Sequence, residues 1–269
     1  MNAVKISDLL QALDSIAPLA LSEPWDHSGL QLGGASWRCS RVGFCLDATV
    51  ESVQVASREG CDVLVAHHPL CFLPLADLDT SRFVAQTAGE AFRLGVAVVG
   101  WHTPWDSARG GVNEGLLARA GLLSARGLRP MPGGFGMGGM GEWPESCPAC
   151  ASAAALAGAW DLSGYRLAGD PTKEVRRVAL CGGSGGDLWQ DALEGGADLY
   201  ATSEMKHHQI VEALASGLAL MLCDHGEMEA PSMSDLARRV EGLGFDVRVL
   251  PETPSHYQWA ARGSGRHKD

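Results

Sequence analysis

Three apolar runs in this sequence end on groups that bind divalent cations. His67 and His68 follow Val63-Leu64-Val65-Ala66, His102 and Asp106 follow Val96-Ala97-Val98-Val99, and His225 and Glu229 follow Leu218-Ala219-Leu220-Met221-Leu222. Imidazole and carboxylate are what a borderline divalent metal takes as ligands. In an open α/β sheet, ligands bind in the crevice outside the carboxyl ends of the strands. Six such groups exceed what one four-coordinate ion takes from protein while keeping a position for water. The expectation is two divalent ions, with Zn, Mn, Fe, Co and Ni all suited to mixed His and carboxylate ligands. Two ions roughly 3.5–4 Å apart lower the pKa of a water and polarise a phosphoryl or carbonyl oxygen, which is the chemistry of hydrolysis. Glu204 and Glu227 are the candidate catalytic carboxylates, either as general base or as the group that holds the far nitrogen of a liganding histidine.

The local pattern sharpens each site. Pro69 stops a regular ladder right after His67-His68, and neighbouring side chains of extended backbone point to opposite sides. The pair can therefore serve two ions, or one residue can bind while the other orients. In His102-Thr103-Pro104-Trp105-Asp106 the proline rules out a simple helical i, i+4 pair, so the loop must curl to bring the carboxylate back toward the strand end. His225-Gly226-Glu227-Met228-Glu229 repeats the spacing with a glycine to permit the turn. Gly182-Gly183-Ser184-Gly185-Gly186 fits a phosphate cradle and fits tight strand-to-helix packing equally well, since it lacks the Gly-Lys-Ser/Thr ending of a nucleotide loop. Lys206-His207-His208 opens a helix near Glu204, where it is either a solvated start or part of the site. Asp26, His27, Ser184 and His208 are the candidate substrate contacts. No Gly-x-Ser-x-Gly elbow of a serine hydrolase occurs.

The elements that must position these groups alternate. A helix is expected over 5–20 behind a Ser7 cap, then a loop over 24–33 running into a short strand. From Arg41 the pattern is strand 42–47, helix 51–59, strand 62–66, helix 82–94 and strand 96–101. Continuous apolar strands separated by helices predict an α/β fold with mostly parallel, helix-covered sheets. The pattern then returns. Arg41-Val42-Gly43-Phe44-Cys45 matches Arg177-Val178-Ala179-Leu180-Cys181, and Gly60-Cys61-Asp62 matches Gly196-Ala197-Asp198, both at an offset of 136 residues. Two similar lobes from an internal duplication, 1–125 and 126–262, with the metal site between them and the C-terminal strand free to pack back on the first, account for this. Residues 127–148, rich in Gly, Pro and Met, read as a flexible linker; 149–159 as a helix; 165–168 as a strand; the tail from Gly263 as disordered.

The chain of 269 residues is 46% hydrophobic with a net charge of −11, which argues against wrapping a nucleic-acid backbone. No apolar stretch is long enough for a membrane span, and the N-terminus lacks a signal-peptide core, so a cytoplasmic address is expected. Among eight cysteines, Cys45, Cys61, Cys181 and Cys223 sit in or beside apolar runs as small hydrophobes, while Cys147-Pro148-Ala149-Cys150 lacks the second pair of a structural zinc site. His256 and His267 read as surface residues.

Taken in order, Trp25-Asp26-His27-Ser28-Gly29-Leu30-Gln31-Leu32-Gly33, His67-His68-Pro69-Leu70-Cys71-Phe72, His102 to Asp106, Gly111-Val112-Asn113, the 182–186 glycines, Ala197 to Glu204, and His225 with Glu229 resemble the NIF-three-like dinuclear metal-centre family. Its members are often named GTP cyclohydrolase 1 type 2 homologues. The resemblance spans nearly the whole chain and implies two α/β lobes, a homohexameric ring and a two-metal site. It implies His67, His68, Asp106, His225 and Glu229 as metal ligands, with His102 a further ligand or a group behind one. It implies the short form, without an inserted domain, and a hydrolase acting on a small-molecule substrate, possible forms being a nucleotide or another phosphorylated compound. In the cyclohydrolase form, water opens the guanine imidazole ring and releases formate. A non-catalytic metal-binding scaffold that docks a protein partner needs the same ligands. The chain departs from the family pattern at His27 (usually Asn), Ser203 and Asp224 (usually Gly), Gly139 (usually Arg) and over 255–259.

Overall fold

The computed structural model describes residues 4–251. His256, His267, the 255–259 segment and the tail from Gly263 lie outside the described residues. Helix α1 (Ile6–Ile16) buries Ile6, Leu9 and Leu13, the three-and-four spacing of an amphipathic helix. Ser7 is not its cap: the helix begins a residue earlier, and the Asp8 carboxylate accepts from the Lys5 N–H at 2.8 Å. Pro18 ends α1, and Leu19–Leu21 form a separate 3-10 turn.

The chain continues through β1 (Gly29–Leu32), β2 (Arg41–Asp47), α2 (Val50–Arg58), β3 (Val63–His68), α3 (Phe83–Leu94) and β4 (Ala97–Gly100). Then come α4 (Thr103–Ser107), α5 (Val112–Ala120), β5 (Leu123–Arg129), β6 (Met137–Pro148), α6 (Ala149–Trp160) and β7 (Tyr165–Ala168). The described chain closes with β8 (Glu174–Leu180), α7 (Trp189–Glu194), β9 (Leu199–Thr202), α8 (His207–Ala215), β10 (Ala219–Cys223), α9 (His225–Glu241) and β11 (Asp246–Val249). None of these helices is long and apolar enough to cross a membrane.

Two sheets result, in the orders β1-β4-β3-β2-β11 and β5-β6-β8-β9-β10-β7. In the first, β4, β3, β2 and β11 are parallel and only β1 runs against its neighbour. The second is mixed: the parallel trio β8-β9-β10 is flanked by antiparallel β5, β6 and β7. Matching linkages hold both trios. The Asp62 N–H donates to the Arg41 carbonyl at 3.0 Å and the Asp198 N–H to the Arg177 carbonyl at 2.8 Å. The carbonyls of Asp62 and Asp198 in turn accept from Ala97 and Ala219, each at 3.0 Å.

The segment 127–148 is not a linker. Its glycines allow β6 to lie under α5: a Cβ on Gly139 would stand 2.6 Å from Leu117 Cδ1, so the small residue is what admits the helix. Helix α9 leaves the end of β10 and packs on β2 and β11 of the other sheet, which carries its first turns to the strand ends of the first sheet. Trp101 and Trp105 lock the intervening corner. Both are fully buried, with Nε1–H donating to the Ala17 carbonyl at 3.0 Å and to Ser232 Oγ at 3.1 Å. A buried indole N–H without an acceptor costs about 1–3 kcal/mol, so these bonds fix the corner's orientation.

Candidate metal centre

The strand-end side chains converge. His67 and His68 end β3, and His102 precedes α4. The 103–107 stretch is a short helix, not a curled loop, because Pro104 falls in its first turn, where a missing N–H is tolerated. That turn carries Asp106 back over the end of β4. His225 and Glu229 likewise share one face of the first turns of α9, with no loop between them.

Glu229 Oε2 is the common point. It lies 3.0 Å from His68 Nε2 and 3.0 Å from His225 Nε2, and those two nitrogens are 3.2 Å apart. On its other side His67 Nε2 stands 3.6 Å away, with Asp106 Oδ1 3.5 Å beyond it. Donor atoms around a tetrahedral ion with bonds near 2.1 Å are spaced by about 3.4 Å. Three overlapping groups have their donor atoms within 4.8 Å of one another: His67-His68-His102, His68-His225-Glu229 and His67-Asp106-Glu229. Among the described residues, five buried side-chain polar atoms lack a hydrogen-bond partner, and three of them are His67 Nδ1, His67 Nε2 and Asp106 Oδ1. Buried polar atoms are otherwise almost always satisfied. Unpartnered donors at ligand spacing are what a divalent cation would fit.

A carboxylate stands behind each of three imidazoles. Asp47 Oδ1 lies 2.8 Å from His68 Nδ1, Asp26 Oδ1 2.9 Å from His102 Nδ1, and Glu204 Oε2 3.0 Å from His225 Nδ1. An ionised carboxylate only accepts, so each Nδ1 carries the proton and each Nε2 is turned to the centre. Asp26 is held well below the usual carboxylate range: burial acts upward, but the bonds from His102, Ser28 and Thr103 outweigh it. Burial likewise lowers His68 and His225, yet the bonds to Asp47 and Glu229 raise His68 to about 9, and those to Glu204 and Glu229 raise His225 to about 11. Burial pushes Asp106 up against the pull of His67 and His102. Glu229 is held well below its ordinary value because the imidazoles of His67, His225 and His68 outweigh its burial. In the metal-free protein the raised imidazoles of His68 and His225 supply positive charge to Glu229, Asp47 and Glu204.

The Duf34/NIF3 (NGG1p interacting factor 3) family matches residues 4–254. The chain belongs to the Duf34/NIF3 family. A Streptomyces coelicolor protein named GTP cyclohydrolase 1 type 2 homolog is 32% identical over 96% of this chain and 94% of its own. NIF3-like protein 1 of Drosophila melanogaster is 26% identical over 84% of this chain and 78% of its own. The crystal structure of a Bacillus cereus protein related to NIF3 superposes with a TM-score of 0.90 at 19% identity, covering 97% of this chain and all of that one, a likeness of fold.

Within this Duf34/NIF3 chain the remaining candidates divide. The centre opens into a cavity of about 280 Å³ whose wall includes His68, His102, Asp106, His225, Glu229 and Ser184. Of the four candidate substrate contacts, only Ser184 lines it. Asp26 stands behind His102, and His27 and His208 are exposed residues outside the cavity wall. Glu204 is engaged with His225, the orienting role of the two open to it. Glu227 is turned away: its carboxylate accepts from the Ser163 N–H at 2.9 Å, so it is not placed to act on a substrate in the cavity. The glycine loop is not an open cradle either, since the N–H groups of Gly182 and Gly185 donate to Asn113 Oδ1 at 3.0 Å and Thr202 Oγ1 at 2.9 Å. The loop's use is proximity. A Cβ on Gly183 would stand 2.1 Å from Glu229 Oε1. Asn113, whose Nδ2 also donates to the Asp106 carbonyl at 3.1 Å, ties the loop to α4.

Among the departures from the family pattern, Asp224 caps α9, its Oδ1 accepting from the Glu227 N–H at 3.0 Å, and Ser203 is buried beside Met228. Cys147 and Cys150 bracket the β6–α6 junction, outside the three donor groups. Asp47, Gly183 and the aromatic residues Trp25 and Phe72 at the cavity wall belong to the site and are absent from the sequence-based set. Asp47 was accessible to the same logic, because it ends an apolar strand next to β3.

Proposed function

We propose that this protein is a dinuclear metal-dependent hydrolase of a nucleotide-like or otherwise phosphorylated small molecule. The observation that carries the reading is the sharing of Glu229 Oε2 between two groups of imidazole and carboxylate donors at the wall of a small-molecule-sized cavity. His68 and His225 with Glu229 would hold one ion; His67 and Asp106 with Glu229 the other, with His102 completing either shell. Two such ions supply an activated water and polarise the electrophile. The chain's own residues do the rest. Asp47, Asp26 and Glu204 hold the Nδ1 protons, Gly183 leaves room for Glu229, and Ser184 presents its residue to the cavity. The name GTP cyclohydrolase 1 type 2 homolog carried by relatives supports a nucleotide among the substrates to be tried first. The paired Asp62 and Asp198 linkages support an internal duplication behind the two sheets.

The test is elemental analysis of freshly purified protein, followed by a nucleotide and phosphoester panel with the metal found. About two ions per chain and metal-dependent turnover that Asp106→Ala and Glu229→Ala abolish are expected. Metal binding without turnover on any substrate would sink the hydrolase. The assembly has one observation in its favour: after Phe72, the 73–78 loop exposes Leu73 and Leu78 at 72% and 74%, an apolar surface that a protein covers. We take the occupant to be further copies of the chain, in a homohexamer. Light scattering on the wild type and on Leu78→Asp, which should give a smaller species, separates this from a foreign partner.

A further inference from the structure

Two large aromatic side chains stand half-exposed at the mouth of the metal cavity. Trp25 is 53% and Phe72 51% exposed, and both belong to the cavity wall. Their ring centroids are 5.9 Å apart with planes tilted by 52°, so the rings touch and make an angled notch whose exposed faces, not a gap between them, are open to a ligand. The floor is His102, whose imidazole meets Trp25 edge-on at 5.8 Å and Phe72 at 6.3 Å. The floor in turn belongs to the His67-His68-His102 donor group, so the notch opens on the centre.

The sides are anchored. Trp25 lies between Glu23, whose N–H donates to Thr103 Oγ1 at 2.9 Å, and Asp26, whose carboxylate accepts from the same hydroxyl at 2.8 Å and from His102. Next to Phe72, the Cys71 N–H donates to Gln31 Oε1 at 2.9 Å. Phe72 also differs from the exposed leucines that follow it: its ring turns to Trp25 and His102, while Leu73 and Leu78 are not part of the cavity wall. A preformed, half-exposed aromatic pair over a polar floor binds flat rings, because every planar π-system offers a face to stack while its edge atoms reach the floor.

The charges at the cavity narrow the class. Arg129, the one guanidinium of the wall, is clamped bidentately by Asp191 at 2.9 and 2.7 Å. Beside the metal-side carboxylates Asp106 and Glu229, Glu23 and Asp187 place further carboxylates at the wall. Such a wall offers acceptors to ring N–H donors. We infer that Trp25 and Phe72 form the recognition site for a planar nitrogen heteroaromatic ring, whose stacking supplies the affinity and whose edge is presented to His102 and the metal centre. This rests on the hydrolase reading for what happens to the ring, but the binding itself does not.

The test is saturation-transfer NMR and calorimetry on the metal-loaded full-length protein with guanosine, lumazine and ribose 5-phosphate as probes. Guanosine and lumazine should bind, with ring protons saturated, and ribose 5-phosphate should bind at least about tenfold more weakly. Trp25→Ala and Phe72→Ala should each weaken ring binding by about 5- to 150-fold, Trp25→Phe should restore most of it, and Phe92→Ala, an exposed ring outside the cavity wall, should leave it unchanged. Equal binding of ribose 5-phosphate and guanosine, or ring binding indifferent to Trp25→Ala, overturns the site. A smaller assembly on Trp25→Ala also overturns it, since the rings are then a contact between copies. Ring binding at the notch without turnover of any substrate leaves this site standing and removes the hydrolase; turnover of a ring-free phosphoester, unaffected by Trp25→Ala, does the reverse.

Discussion

Replacing Gly183 by alanine should cost far more metal affinity than stability, and its size follows from two distances. A Cβ at Gly183 would stand 2.1 Å from Glu229 Oε1 and 3.0 Å from His225 Nε2, whereas ordinary contact begins at 3.4 Å. The carboxylate must therefore retreat by more than an ångström, while a metal–ligand bond tolerates about 0.2 Å. Because Glu229 Oε2 belongs to both donor groups, one displaced side chain perturbs both. Backbone strain has its own control in the fold. Gly95 has the same φ of +68° as Gly183, and a Cβ there meets nothing within 4 Å. Left-handed alanine costs about 1–2 kcal/mol at either position, a fall in melting temperature of roughly 2–8 °C for a chain of this size. Gly95→Ala should show that fall with unchanged metal affinity. Gly183→Ala should show at least a similar fall and lose about 100-fold or more in affinity, measured by competition with a chromophoric chelator. If Gly183→Ala binds metal within about threefold of Gly95→Ala, Glu229 is not the shared ligand and the two-group geometry fails as the basis of the site.

Four further outcomes follow from the same geometry. Asp47→Asn keeps an acceptor for His68 Nδ1 but removes its charge, so metal affinity should drop by about 10- to 100-fold in the same competition assay. In the metal-free protein His68 at about 9 and His225 at about 11 are protonated at pH 7.5, so loading should release about two protons per chain, read by calorimetry in buffers of different ionisation enthalpy; a heat independent of buffer would contradict it. These raised values also set the sign of the metal-free stability. Their contribution is complete below the unfolded value of about 6.5 and is lost as pH rises through about 9 and about 11, so the melting temperature of metal-free protein should fall across that window and that of loaded protein should fall less. A chelator should lower the melting temperature at neutral pH, since an ion present at a hundredfold its dissociation constant stabilises by about 2.7 kcal/mol, and no change on chelation would show that the donors hold no ion.

What was legible in the sequence is what a single strand end displays. His67-His68 announce themselves at the end of β3 with Pro69 just beyond it, and the alternation of β2, α2, β3, α3 and β4 follows from apolar runs separated by helices. Two expectations fail for one physical cause: the effect of a proline or a glycine depends on where in its element it stands. Pro104 argues against helix only in an interior, and it stands in the first turn of α4. The glycines of 127–148 mark flexibility only where nothing packs on them, and α5 packs on β6.

The orienting roles that depend on register across elements are not legible from spacing along the chain. Asp47 reaches His68 because the two residues are direct partners in the β2–β3 pairing, a fact of alignment and not of spacing along the chain. Glu204 and Glu227 look equivalent in sequence, each near a liganding histidine. They separate only when α9 starts at His225, because the helical turn then points Glu229 at the centre and Glu227 at Ser163, while Glu204 arrives from the end of β9 on the far side of the imidazole. A strand delivers alternate residues to a site and a helix delivers every fourth. A metal centre assembled from both can therefore be located from composition, but its orienting carboxylates are resolved only once the register between the elements is known.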